Sequence, residues 1–151
     1  MANTQAMCTS FKTEILDGIH ALGTTVIRAG TGADTLKAAL YLASATVNAA
    51  TTAYSATGEV TGAGYSAGGI TATNANQPAN SGTTAYWTPS ASFTYTNVTL
   101  TTAFDAVLIY NSTQSNKAIS VHTFGSQTVT AGTFVLSMPT NDASTGGLRI
   151  A

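Results

Sequence analysis

Residues 104–138 constrain the fold most, because they carry three strand-like runs separated by turn residues. Asp105-Ala-Val-Leu-Ile-Tyr110 is apolar on both alternating faces, which suits a central strand covered on both sides. Asn111-Ser-Thr-Gln-Ser-Asn116 is a polar turn cluster. The next run places Ile119 and Val121 on one face, and Ala118, His122 and Phe124 on the other. Gly125-Ser126 breaks that run, and Ala131-Gly132 breaks the stretch after it. Phe134, Leu136 and Met138 then alternate cleanly until Pro139, which cannot donate to a ladder. The pattern predicts antiparallel strands with Leu108, Val121, Phe134 and Leu136 in one apolar layer.

A chain of 151 residues is long enough to bury a core without a disulfide or metal. Cys8 stands alone, so no internal disulfide is expected. Only 7% of residues are charged, against about 25% in typical soluble domains. A free monomer usually keeps more charge for solubility, so the composition suits a surface covered by neighbours in an assembly. Lys12, Arg28, Lys37, Lys117 and Arg149 are scattered, whereas phosphate backbones demand clustered cations; nucleic acid is not an expected partner. The long uncharged stretch between Lys37 and Glu59 is full of Thr, Ser and Asn, so a membrane span is not expected. The first residues lack a basic segment followed by a long apolar core, so no secretory signal is expected.

Three regions follow along the chain. Residues 1–23 carry the helical signal: Met7, Phe11, Ile15, Ile19 and Leu22 recur at spacings of three and four, with Asn3 or Thr4 as start cap and Gly23 as end cap. Residues 24–139 form the β domain, opening with a Gly- and Thr-rich connection over 24–34. Within it, strands are predicted over 35–43 with one face to the core, then over 70–74, 83–88 and 92–96. Residues 44–55 read as a loop or short helix, and 77–82 as a turn. Residues 140–151 form a tail whose Leu148 and Ile150 make a small apolar hook for a neighbouring subunit.

Few motifs carry chemistry. Gly64-Tyr-Ser-Ala-Gly68 matches the nucleophile-elbow pattern, and Asp105 and His122 follow in hydrolase order. The elbow needs a strand before Ser66 and a helix after it, and the surrounding glycines predict neither. The missing helix also defeats a loose dinucleotide fingerprint over 62–67. His20 and His122 show no ligand spacing, and Glu59, Asp105 and Asp142 form no calcium loop. His122 reads as a hydrogen-bonded packing residue. Tyr86-Trp87 reads either as core or as a sugar-stacking platform, with Tyr65 as a further stacking candidate.

The opening residues 1–12, Leu36-Lys-Ala-Ala-Leu-Tyr41, the turn at Thr51-Thr-Ala-Tyr54, the segment Glu59-Val-x-Gly-x-Gly-Tyr-x-x-Gly-Gly-Ile70 and the run 106–111 together resemble small structural proteins of tailed bacteriophages. The resemblance covers most of the chain. Members of that group are described as head-decoration, minor tail or simply virion proteins, so it does not fix a place in the particle. The group has no catalytic residues; no catalytic, cofactor-binding or metal-binding residue is expected here. The combined expectation is an all-β antiparallel sandwich, jelly-roll-like or Greek-key, with one N-terminal α-helix. The chain would act without enzymatic activity or cofactors as a virion protein assembled in the bacterial cytoplasm. The preferred role is capsid decoration or cement, with the major capsid protein or other virion proteins as partners, and self-association in the particle. A minor tail, neck or fibre component is the same-class alternative. A carbohydrate-binding module for host adsorption, using Tyr86, Trp87 or Tyr65, is the alternative of a different class.

Overall fold

The computed structural model describes residues 2–16, 18–23, 32–73, 76–89 and 92–151, without the Leu16 side chain. The predicted connection at 24–34 falls largely on residues outside that set. The fold is an all-β sandwich, with two antiparallel sheets and one short helix among the described residues. The elements in chain order are β1 (Ala6–Met7), α1 (Thr9–Leu16), β2 (Leu36–Leu42), β3 (Ile70–Ala72), β4 (Ala79–Ser81), β5 (Thr84–Trp87), β6 (Ser92–Asn111), β7 (Lys117–Ser137) and β8 (Leu148–Ile150). The larger sheet has the order β1-β7-β6-β2-β3, and the smaller β4-β5-β8.

The hairpin β6–β7 dominates the molecule. Its tip is a polar turn in which the Asn111 side-chain oxygen accepts from the amides of Thr113 and Gln114 at 3.1 and 3.2 Å. Ser115 and Asn116 sit at φ 53° and 59°, left-handed positions that Asn and other small polar residues tolerate best. Near the tip, Leu108 pairs with Val121, and both are fully buried.

The predicted breaks at Gly125-Ser126 and Ala131-Gly132 do not end strands. They are irregularities inside one long β7, and the separate strands predicted over 92–96 and 105–110 are one β6. Between Leu100↔Val129 and Phe104↔Gln127, β6 advances by four residues against two on β7; between Phe104↔Gln127 and Ala106↔Thr123 the imbalance reverses. Such extra residues bend and twist a ribbon. The outer half of the hairpin, 92–100 with 129–137, therefore folds back over the inner half. Phe134 meets Phe104 and Phe124 at ring-centroid distances of 5.0 and 5.3 Å, and the Tyr95 hydroxyl donates to the Ala38 carbonyl of β2 at 2.8 Å. The bent hairpin thus packs its outer half against its own inner half and against β2. Phe134 and Leu136 lie at the margin of that core and are only half-buried, unlike Leu108 and Val121.

Folding back has a consequence for β2. Its alternation predicts one face to the core, yet Ala39 and Tyr41 are buried as fully as Ala38 and Leu40. The segment 59–69 covers that second face. Glu59 is buried, and its carboxylate accepts from the Tyr54 hydroxyl at 2.6 Å, the Tyr65 hydroxyl at 2.7 Å and the Gly68 amide at 2.8 Å. Gly64, Gly68 and Gly69 have φ of 78°, 87° and 70°. A Cβ at Gly69 would collide with the Ala38 carbonyl, and one at Gly64 with the Asn97 carbonyl. Glycine is required there by conformation and by backbone-to-backbone approach together.

At the N-terminus the apolar stripe does not become one long helix. Met7 lies in β1, and α1 ends early because Gly18, at φ 68°, closes it. The Ile19 and Gly18 amides donate to the Glu14 and Ile15 carbonyls at 2.9 and 3.0 Å, the paired bonds of a Schellman stop. Asn3 does not cap the helix; it donates to the Leu42 carbonyl and to Asp105. A polar network then ties this region to the hairpin tip. Lys117 bonds Glu14 at 2.6 Å, Glu14 bonds His20 at 2.7 Å, and Asn111 contacts both His20 and Asp34. The C-terminal hook is internal in part: β8 pairs with β5 and Leu148 is buried against this chain's own core, while Ile150 stays 49% exposed.

Candidate interaction surface

The outer half of the hairpin alternates strictly. Phe93, Tyr95, Phe134 and Leu136 point into the sandwich, while Thr94, Thr96, Thr133, Val135 and Ser137 are exposed on the opposite face. Thr94 stands across from Val135, and Phe93 across from Leu136. No Asp, Glu, Lys or Arg occurs in residues 92–104 or 118–141. The result is a neutral, hydroxyl-bearing face.

The margin of this ribbon is open. On the side of β7 away from β6, the only strand partner among the described residues is β1, at Ser120 and Val121. Residues 133–137 make no backbone hydrogen bond outside the β6–β7 ladder among the described residues. Natural sheet edges are usually blunted by lysine, proline or inward charge. This one has none before Pro139, and Val135 is 51% exposed.

A cleft of about 670 Å³ runs beside the same margin, bounded by Gln5 and Met7, by His122 and Leu136 of β7, and by Gly147 and Arg149 near the C-terminus. Burial pushes the His122 imidazole down to about 4, so the ring is neutral near pH 7. Its Nε2 lies 3.1 Å from the Ser120 hydroxyl, which makes it a hydrogen-bonded packing residue, as the strand context predicts. A second, apolar cavity of about 390 Å³ lies between α1 and the smaller sheet, walled by Phe11, Ile15, Leu22, Pro78, Trp87 and Leu148.

The structure separates the residues of the elbow pattern. Ser66 is exposed in a turn that leads into β3, Asp105 accepts from Asn3 at 2.6 Å, and His122 pairs with Ser120. The stacking candidates are also committed elsewhere. Trp87 is 2% exposed and its indole N–H donates to the Asn76 carbonyl at 3.0 Å. Tyr65 lies against Tyr95 and is held by Glu59. Tyr86, like Tyr65, keeps partial exposure, and as Trp87's strand neighbour it projects to the opposite face. Among the described residues there is no cluster of three or more His, Cys, Asp or Glu placed to hold a metal. No helix among the described residues is long and apolar enough to cross a membrane. Compared with family models, curated proteins and solved structures, the chain finds no match in any of the three.

Proposed function

We propose that this chain is a non-enzymatic structural protein of a bacteriophage virion, acting as a capsid decoration or cement protein on the assembled head. The observation that carries the reading is the neutral, threonine-rich outer ribbon with its unblunted edge. A free-living monomer is selected against such an edge, whereas a subunit that spends its life against neighbours is not. A second support is that the distinctive residues of the sequence are used to build the fold. Glu59, Tyr65, Gly68 and Gly69 pin a loop across β2 and take part in no chemistry that the geometry suggests.

Cementing works by mass action: a protein that binds only the assembled shell stabilises the shell in proportion to occupancy. Neutral hydroxyl contacts suit that role, because repeated copies on a symmetric lattice then meet without like-charge repulsion. The major capsid protein is the partner in this reading. A minor tail, neck or fibre role would use the same surface at lower copy number. The test is quantitative mass spectrometry of purified particles against the major capsid protein. Copy number on the order of hundreds supports the head role; on the order of a dozen moves the protein to the tail. Absence from purified particles ends the virion reading.

A further inference from the structure

We infer that the 133–137 edge of β7 is the self-association site of this protein, pairing antiparallel about a two-fold axis with the same edge of a second copy. The inference deepens the assembly reading and rests on it. The occupant is specified by three observations.

The first is the backbone. Residues 133–137 are extended, lie outermost among the described strands on that side and, among the described residues, form backbone bonds only towards β6. Their outward N–H and C=O groups are the template for one more strand, and an antiparallel strand of like geometry satisfies them best. The second is side-chain self-complementarity. A two-fold axis at Val135 sets Val135 against its counterpart, Phe134 against Leu136, and Thr133 against Ser137. Every pair is then apolar with apolar or hydroxyl with hydroxyl, on the correct face. Phe134 and Leu136, half-buried in one copy, gain the neighbour that completes the inner layer. Val135, one of two exposed large hydrophobic residues among those described, becomes covered. The third is charge. No charged residue lies between Lys117 and Asp142, so the two identical edges meet without repulsion. Two copies joined this way form one continuous sheet across the axis. The symmetry is closed, so association stops at the dimer instead of running into fibres.

The test uses the full chain in solution. Sedimentation velocity should give twice the chain mass at high concentration, falling to one chain mass on dilution. Val135→Lys sets two ammonium groups opposite each other and should raise the dimer dissociation constant at least about tenfold. Because a charged variant can disturb folding, a second variant carries the geometry. Val135→Cys places two thiols beside the axis, where paired Cα atoms lie about 4.5–5.5 Å apart, and mild oxidation should give a disulfide-linked dimer. Thr94→Cys is the control. It sits one strand further in, so its two copies lie three strand spacings apart, about 14 Å, too far for a disulfide. The native Cys8 does not compete, being fully buried with its thiol pushed up to about 11 by burial and then by Glu14. A single-chain mass at every concentration overturns the inference. So does a dimer that Val135→Lys leaves unchanged and that Val135→Cys does not cross-link. Failure here leaves particle copy number untouched, and absence from particles leaves the dimer untouched, so the two readings fail separately.

Discussion

Glu59 is a buried carboxylate that, among the described residues, forms no ion pair and is held by neutral donors alone. Such a group is tolerable only while its donors stay in place, since burying a charge without hydrogen bonds is far more costly than burying it with them. Glu59→Gln replaces one of the two accepting oxygens with an NH2 donor and should cost about 1–3 kcal/mol. Tyr54→Phe removes one of three donors and should cost less. Urea midpoints that reverse this order would show that the carboxylate is not the hub of the loop. None of this was legible in the sequence, where Glu59 is one acid in a glycine-rich stretch; its partners meet it only because the loop turns back on β2. Two further residues set pH windows. His122 titrates lower in the folded state, at about 4, than its ordinary 6.5, so the unfolded chain binds the proton first. Stability should therefore fall as pH drops from 6.5 towards 4, by at most about 3 kcal/mol, and His122→Gln should remove that slope. For Glu14, burial raises the carboxyl, but the hydrogen bonds and charges of Lys117 and His20 outweigh it and hold it below its ordinary 4.5. Its contribution is complete above that value and is lost as pH falls through the lowered one. A urea titration series across pH separates the two windows, and a flat profile would refute both.

Glycine read from sequence says only that the backbone is unusual, and its two uses here lie on different elements. In 125–132, Gly and Ala residues looked like strand ends and proved to be sites where one strand bends, with Ala131 at φ 45°. A turn and a bulge share this local signal; only the pairing partner distinguishes them, and the partner is some thirty residues away in sequence, as Val98↔Gly132 illustrates. The strand character of Leu108, Val121, Phe93 and Tyr95 was legible because alternation is local. The fold-back that joins them into two layers was not. In the loop over β2, by contrast, the glycines carry close approach. Gly69→Ala combines a left-handed backbone with a clash against the Ala38 carbonyl, whereas Gly82→Ala, at φ 56° with nothing within 4 Å, carries the backbone strain alone. The second should cost about 1–2 kcal/mol and the first clearly more. Equal losses in denaturant titration would show that the loop moves freely off β2. Leu108→Ala should cost about 2–5 kcal/mol as a fully buried site. Leu136→Ala should cost less in the isolated chain, because that side chain is only partly buried there.

At the scale of the whole molecule the tail supplies a strand, and this changes the role the sequence suggests for Leu148. In sequence, Leu148 and Ile150 suggest an anchor for a neighbour, because a short apolar segment after a flexible run must be buried on something. The sequence does not say on what: β8 finds β5 across more than sixty residues, and no local pattern encodes that pairing. The smaller sheet then has three strands only because the tail supplies one. Without β8 it is the hairpin β4–β5, and an isolated two-stranded hairpin is marginal in water. Deletion of residues 141–151 should therefore loosen β4 and β5 while leaving the larger sheet folded, since β6, β7 and β2 do not depend on the tail for any ladder bond. The chain's single tryptophan reports on this directly. Trp87 pairs with Leu148 and is 2% exposed. Its emission should shift to the red and become quenchable by acrylamide in the truncated chain, while the far-ultraviolet signal of the β sandwich persists. Self-association through 133–137 should survive the deletion. An unshifted emission together with loss of association would instead place the interface in the tail, with β5–β8 pairing contributing nothing to the fold of the isolated chain.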